Sequence, residues 1–200
     1  MKKFNSVVIG RQEWLATNLN TRKFRNGDPV PVITNEGDWA TASAKQLPAC
    51  CFFENMQWIG RNYGKLYNWY AVNDPRGLAP NGWHIPVDNE WEQMINVLGG
   101  SENAGIRLKS KKEWDWNGFG TNESKFNALP GCYRDSHGVF RGFEDDGLWW
   151  KDDGYWWSST VLKDDAAWLF NLNCNSGHVY RYAFLKGCGI SVRCVKDIPV

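Results

Sequence analysis

The sequence predicts a single α+β domain whose carboxyl-terminal half forms a curled antiparallel sheet with long loops. Three observations lead to this fold class. Residues 87–100 have the periodicity of an amphipathic helix, whereas from residue 101 onward short aromatic stretches alternate with Gly, Asn and Asp turns. No repeat, low-complexity tract or linker divides the 200 residues, a length that suffices for one core.

The amino-terminal part of the chain predicts strands. Residues 7–33 are interpreted as short strands, with a turn at residues 26–28 and prolines at positions 29 and 31 that suit a sheet edge. Residues 34–62 lack periodicity and are interpreted as a surface excursion.

Two helices are predicted in the middle of the chain. The first lies within residues 62–74, where four side chains fall at i, i+3, i+4 and i+7: Leu66, Trp69, Tyr70 and Asn73. The second covers residues 87–100, with Asp88 as its N-cap and Gly99-Gly100 as its end. Its apolar face consists of Trp91, Met94, Ile95 and Leu98.

The carboxyl-terminal segment predicts a hairpin that mixes regular core positions with chemically unrelated side chains. Strands are expected at 167–173 and 178–184, joined by the turn "NCNSGH", with a third strand at 190–195. Alternation places His178, Tyr180, Tyr182 and Phe184 on one side of the second strand, which is the better candidate for an exposed face. Phe170 shares a side with Trp168 and Leu172, so its place in the core or on the surface stays open.

These positions give a set of candidate ligand-binding residues. Rigid rings combined with small adaptable polar groups are typical of interaction surfaces. The candidates are Phe170, Asn173, Asn175, His178, Tyr180, Tyr182, Phe184 and Leu185. The aromatic stretch 148–157 is a further candidate part of the same face.

Composition excludes several function classes. The 23 basic and 22 acidic residues leave no electrostatic signature for nucleic acid or an anionic membrane. No apolar run approaches the roughly 20 residues of a membrane-spanning helix. The start "MKKFNSVVIGRQEW" lacks the apolar region of a signal peptide, so we expect an export signal to be either unused or already removed.

The sequence predicts no catalytic residue, metal site or cofactor. Nucleophile, dinucleotide, phosphate-loop and zinc-protease motifs are missing. Six cysteines without a C-x-x-C pair, and only three histidines, do not favour zinc. We expect most thiols to be free and several to be buried, although an even count leaves one or two disulfides open. Acidic clusters at 144–147, 151–154 and 163–165 favour solvated turns over calcium loops, and His84 is interpreted as a hydrogen-bonded, partly buried side chain.

Eight stretches, in order, resemble the Fibrobacter succinogenes major paralogous domain family. They are "VVIGRQEWLATNLNTRKFRNGDPVP", "NYGKLYNWYAV", "GLAPNGWHIPVDNEWEQMINVLGG", "AGIRLKS", "GTNESKFNALPGCYRD", "GYWWSST", "AAW" and "GISVRCVKD", and the match runs from about residue 7 to 197. The stretch "GWHIPVDNEWEQM" is also similar to formylglycine-generating enzymes. The resemblance implies a C-type-lectin-like fold with two helices packed on twisted antiparallel sheets and with the terminal strands close together.

The resemblance implies the fold, but it implies neither the oxidase activity nor calcium-dependent sugar binding. No pair of copper-binding cysteines maps onto this chain, and the lectin motifs Glu-Pro-Asn and Trp-Asn-Asp are missing. Domains of this kind also serve as variable proteins of diversity-generating retroelements, in which a fixed frame holds interchangeable side chains. Under that scheme the frame is "AAW", "G-x-V-x-R" and "G-x-SVRC", and the displayed positions include Cys174 and Cys188.

The resemblance therefore implies a non-enzymatic ligand-binding or adhesion domain. Its expected partner is a cell-surface protein or glycan, with no nucleic acid and no membrane insertion, and its expected location is extracellular or on a virion surface. Two alternatives stay open: a structural surface module of a bacterial lipoprotein without a specific ligand, and, less favoured, an oxidase of the formylglycine-generating type. The oligomeric state is not predicted.

Overall fold

A computed structural model of the chain describes residues 4–58, 60–114, 120–142 and 152–197. The architecture is mixed α+β, with short helices and several antiparallel sheets. The strands are β1 (Ser6–Ile9), β2 (Gln12–Leu15), β3 (Cys50–Cys51), β4 (Leu66–Tyr67), β5 (Trp83–His84), β6 (Tyr133–Arg134), β7 (Phe140–Arg141), β8 (Asp153–Lys163), β9 (Ala166–Asn173), β10 (Val179–Leu185), β11 (Ile190–Ser191) and β12 (Val195–Lys196). The helices are α1 (Glu36–Ala44), α2 (Gly60–Tyr63), α3 (Trp69–Val72), α4 (Asp88–Val97) and α5 (Ala104–Leu108), with a 3-10 turn at Phe53–Asn55.

Three sheets organise the described part of the chain. The strand orders are β1-β2-β12-β5, β10-β9-β8-β11-β4-β3 and β6-β7. Adjacent strands of these sheets are antiparallel, except that β11 runs parallel to β8. Val195 of β12 pairs with Trp14 of β2, so the terminal strands meet as the resemblance implied.

The predicted helix at 87–100 is confirmed as α4, but its capping differs from the prediction. Val87 is the N-cap residue, and its backbone N–H donates to Glu90 Oε2 at 2.9 Å. Asp88 lies inside the first turn, and its carboxylate binds Arg181 instead. The predicted N-cap role of Asp88 is therefore wrong, because Glu90 provides the cap and leaves Asp88 for a tertiary contact.

The predicted helix within 62–74 is only partly present. Leu66 lies in strand β4, and the helix α3 begins at Trp69, where Asn68 Oδ1 accepts from the Ala71 N–H at 3.0 Å. Gly64 has φ +77°, and a Cβ there would lie 2.7 Å from the Leu19 carbonyl. The left-handed conformation of Gly64 interrupts the helix, and Leu66 and Tyr67 after it pair with β11 in the sheet.

The interpretation of residues 34–62 as a surface excursion is wrong at helix α1. Trp39 of α1 is fully buried, and its Nε1 donates to the Gly187 carbonyl at 3.0 Å. Asn35 caps the helix by accepting from Asp38 N at 3.1 Å. The helix gave no periodic signal because Trp39 and Ala42 alone form its buried face.

The predicted carboxyl-terminal strands are confirmed, and the sheet they form separates two cores. Strands at 167–173 and 178–184 correspond to β9 and β10, whereas the third, at 190–195, is split into β11 and β12. Trp157 and Leu169 pack into one cluster, and Trp156, Phe170 and Leu172 pack into another. Side-chain alternation therefore buries both faces of β8 and β9.

Buried cations hold the loops around these cores. The fully buried Arg193 guanidinium donates to the carbonyls of Leu15 at 2.8 Å and Phe126 at 2.7 Å, and to Asn18 Oδ1. Burial lowers the pKa of Arg193 to about 9. Arg134, also fully buried, donates to three backbone carbonyls in the same way. Carbonyl partners satisfy these groups without a carboxylate.

The structure also bears on the expectations for the cysteines and for membrane-spanning helices. All six cysteines are buried and none forms a disulfide, which agrees with the expectation that most thiols stay outside disulfides and several are buried. Within the described ranges, no helix has both the length and the apolar composition that crossing a membrane requires.

Candidate functional site

The register of β8, β9 and β10 brings one set of side chains onto a common face. Tyr180 pairs with Asn171, and Asn171 pairs in turn with Tyr155. Residues two apart on each strand share that side, so His178, Tyr182 and Phe184 align with Tyr180. We call this set, together with Tyr155 of β8 and Tyr133 of β6, the aromatic face.

Three rings of the aromatic face form a row along β10. The His178 and Tyr180 ring centroids are 4.8 Å apart. Tyr180 and Tyr182 are stacked at 5.8 Å with an interplanar angle of 7°. Tyr182 is 44% exposed, and His178 and Tyr180 are half-buried. The row therefore presents partly solvated rings in a fixed mutual orientation.

Phe184 continues the aromatic face into a tighter cluster. Its ring lies 5.2 Å from the Tyr133 ring and 5.8 Å from the Tyr155 ring, and the two tyrosines are 5.3 Å apart. All three side chains pack against the core cluster that contains Trp157. Burial raises the pKa of both tyrosines. This end of the face is anchored to the core.

A polar group borders the rings. Asn171 and Asn173 both donate from Nδ2 to Asp153 Oδ1, at 3.1 and 3.0 Å. Asn171 is buried, whereas Asn173 and Asp153 are half-buried. The Asn173 side chain also accepts from the Asn175 N–H at 2.8 Å, which shapes the turn after β9.

Lys109 fixes the turn that precedes the ring row. Its Nζ donates to the carbonyls of Asn173 at 3.1 Å and Ser176 at 2.9 Å, and the residue is buried. Desolvation lowers the pKa of this amine. Ser176 in turn accepts from the His178 N–H at 3.0 Å and lies 3.3 Å from the Tyr180 hydroxyl. The ammonium group thus sets where β10 begins.

Comparison with known proteins assigns the chain to a family. The sequence profile of the Fibrobacter succinogenes major domain matches residues 7–196. The chain belongs to this family. No curated protein and no solved structure matches it.

One predicted site residue of this Fibrobacter succinogenes major domain lies in the core. Phe170 is 3% exposed and stacks on Trp91 with centroids 5.0 Å apart and an angle of 21°. Its side chain points to the side of β9 opposite the aromatic face, so its assignment as a ligand-binding residue is wrong. The alternation with Trp168 and Leu172 already pointed to the core.

The other candidates separate into three places. His178, Tyr180, Tyr182 and Phe184 share the aromatic face. Asn173 and Asn175 lie at the turn, with Asn175 exposed. Leu185 is 48% exposed but lies on the opposite side of β10, because it is one residue out of step with the rings.

Cys174 and Cys188 are not displayed by this family member. Cys174 is 3% exposed, and its thiol lies 3.1 Å from Asp152 Oδ1, while Cys188 is 5% exposed. Their interpretation as surface positions is therefore wrong. A single hydrophobic-polar pattern does not distinguish a small buried thiol from an exposed one.

Sequence reasoning missed the supports of the face. Tyr133 and Lys109 gave no local signal, because each reaches the hairpin from more than 40 positions away in the sequence. Asp153 lies within the candidate stretch 148–157, but its acidic cluster is interpreted from the sequence as a solvated turn, whereas its carboxylate accepts from Asn173. Of the candidate stretch 148–157, residues 148–151 lie outside the described residues, and Tyr155 belongs to the aromatic face. The acidic cluster at 144–147 also lies outside the described residues.

Proposed function

We propose that this domain is a non-enzymatic ligand-binding module with a C-type-lectin-like fold, which binds a cell-surface protein or glycan through the aromatic face. The observation that carries the proposal is the row of His178, Tyr180 and Tyr182. Its rings are ordered by mutual stacking and remain partly exposed. Ordered aromatic side chains lose little conformational entropy on binding, which makes them efficient anchors.

The other side chains of β10 support a division between fixed residues that hold the fold and exchangeable residues that face a ligand. Arg181 faces the opposite side, where its guanidinium lies 3.4 Å from the Trp168 ring centroid and its Nε donates to Asp88 Oδ2 at 2.9 Å. Val179 next to it is buried. Exchange of Tyr180 or Tyr182 therefore leaves the frame contacts in place, as a retroelement-diversified protein requires. A reverse transcriptase gene and a near-copy of the 3′ segment beside this gene would support that origin.

The thiols support a binding role over cysteine catalysis. Burial is the first cause that raises the pKa of Cys50, Cys51 and Cys188 to about 12. A thiolate is the nucleophilic form of cysteine, and these values keep the thiols protonated at neutral pH. We further propose that the domain lies at a cell or virion surface, where an adhesion protein meets its partner.

The test of this function is a pair of ring deletions with a matched control. Tyr180→Ala/Tyr182→Ala is compared with Trp58→Ala, which removes a 69% exposed ring outside the aromatic face. The probes are a glycan array and an array of bacterial surface proteins. We expect at least tenfold weaker capture by the double variant, wild-type capture by Trp58→Ala, and unfolding transitions that stay close to wild type.

Two results contradict the proposal. If the double variant captures its probe as well as the wild type, the rings are not the anchors. If the wild type captures neither class of probe, the domain is better described as a structural surface module.

A further inference from the structure

The central ring of the row, Tyr180, is a poor surface for a sugar to stack on. Tyr180 lies between His178 and Tyr182 along β10, with centroid distances of 4.8 and 5.8 Å, so a neighbouring ring lies on each side of it. A saccharide stacks its C–H groups on an exposed ring face. Tyr180 therefore offers mainly its ring edge and hydroxyl group, which suit the side chains and peptide groups of a protein.

The strand that carries the row is an edge of the six-stranded sheet. Strand β10 pairs only with β9 among the strands of the described residues. Its first residue is closed off, because the Val179 N–H donates to the Ser101 carbonyl at 2.7 Å. The accessible part of the edge therefore begins after Val179.

Backbone alternation shows which groups face outward. The Val179 N–H points away from β9, and the Gly177 carbonyl accepts from Gly105 on the same outer side. The Lys186 N–H points the other way, to the Asp165 carbonyl beyond the end of β9. Odd-numbered residues of β10 therefore face outward, and even-numbered residues face β9. In the described residues the backbone N–H and C=O groups of Arg181 and Ala183 have no backbone partner across this edge.

Beyond Val179, this edge has little of the usual protection against strand pairing. Val179–Leu185 contains no proline, its pairing with β9 has no bulge, and its one charge is directed away to Asp88. Four residues of this strand are exposed to solvent: Arg181, Tyr182, Ala183 and Leu185. A straight, uncovered edge of this kind is a template for an added strand.

We propose that the partner is a polypeptide that adds an extended segment to β10 at Arg181 and Ala183, beside the ring row. This inference rests on the proposed function and names its ligand class. The edge supplies up to four backbone hydrogen bonds, two donated and two accepted. Alternate side chains of the added segment then lie beside Tyr182 on one face and beside Leu185 on the other. The backbone hydrogen bonds to β10 would supply affinity for any extended peptide, and the exchangeable rings of the row would select among peptide sequences.

The experiment removes one outward donor. Ala183→Pro deletes the outward N–H without removing a bond to β9, whereas Ala183→Val keeps the N–H and adds comparable bulk. The probes are a displayed library of twelve-residue random peptides and a glycan array. We expect the wild type to select peptides, Ala183→Val to bind them with unchanged affinity, and Ala183→Pro to bind them at least tenfold more weakly.

A second measurement covers the case in which Ala183→Pro fails to fold. Amide hydrogen exchange of the wild type is recorded with and without a selected peptide, and we expect slower exchange at Arg181 and Ala183. Unchanged exchange at both amides overturns the inference.

The remaining outcomes separate this inference from the proposed function. Peptide binding that Tyr180→Ala/Tyr182→Ala abolishes but Ala183→Pro leaves intact overturns edge pairing and retains the binding face. Selection of glycans alone overturns the polypeptide class and also retains the face. Self-association that Ala183→Pro abolishes identifies a second copy as the occupant and overturns a foreign peptide. Capture of no probe overturns both proposals.

Discussion

Single residues on β9 and β10 have opposite environments, because side chains alternate along a strand. Phe170 is 3% exposed and stacks on Trp91, whereas Tyr182 is 44% exposed and stacks on Tyr180. Both are aromatic residues of the same hairpin. Burial therefore decides which ring supports the fold and which is available to a partner.

Replacement of Phe170 tests this division. We expect Phe170→Ala to lower the free energy of unfolding by about 3–5 kcal/mol, because it leaves a cavity against Trp91. Tyr182→Ala, the matched control, lowers it by at most about 1 kcal/mol. Urea unfolding of both variants measures the difference, and equal losses contradict the assignment of the two rings.

At the scale of elements, His84 of β5 joins helix α4 to the segment after β12, which lies more than 100 residues further along the chain. Its Nε2 lies 2.8 Å from Glu90 Oε1 on α4, and its Nδ1 lies 2.7 Å from Asp197 Oδ1 after β12. This agrees with the interpretation of His84 as a hydrogen-bonded, partly buried side chain. Both ring nitrogens face carboxylate oxygens, so both are donors only when the imidazole is protonated. The hydrogen bond that His84 donates to Glu90, followed by the one it donates to Asp197, raises the pKa of His84.

Stability therefore depends on pH through His84. A raised pKa in the folded state stabilises the protein fully below the unfolded value of about 6.5 and loses that effect as pH rises through the folded pKa. We expect wild type to exceed His84→Gln in free energy of unfolding at about pH 6, and the gap to narrow by about pH 9. Urea unfolding at both pH values measures it.

His137→Gln is the control for that titration, since His137 is exposed on the turn between β6 and β7. This variant removes an imidazole and leaves the contacts of His84 with Glu90 and Asp197 in place. A gap for His84→Gln that widens as pH rises contradicts the assigned contacts.

At the scale of the whole molecule, the packing of three core clusters shields all six thiols. The six cysteines are buried in three clusters or at their borders, and none is in a disulfide. Burial is the first cause that raises the pKa of Cys132, Cys174 and Cys194 to about 12, as it does for the other three. Thiol reactivity therefore reports on global or local opening.

Titration with an aromatic disulfide reagent tests this shielding. We expect the six thiols to react readily in denaturant and slowly in the native protein, at rates that fall with added stability. Phe170→Ala supplies the comparison, because its lower stability accelerates the native reaction. Rapid reaction of one thiol in the native wild type contradicts complete burial.

By itself, the sequence determined the family, helix α4, strands β9 and β10, and the grouping of His178, Tyr180, Tyr182 and Phe184, because periodicity and motif order are local properties of the chain. Only the tertiary structure decided the rest. Trp39 is buried by a contact with Gly187, and Lys109 reaches the carbonyls of Asn173 and Ser176, so no local pattern identifies either. The edge position of β10 likewise depends on which strands pair, and that choice is made by long-range packing.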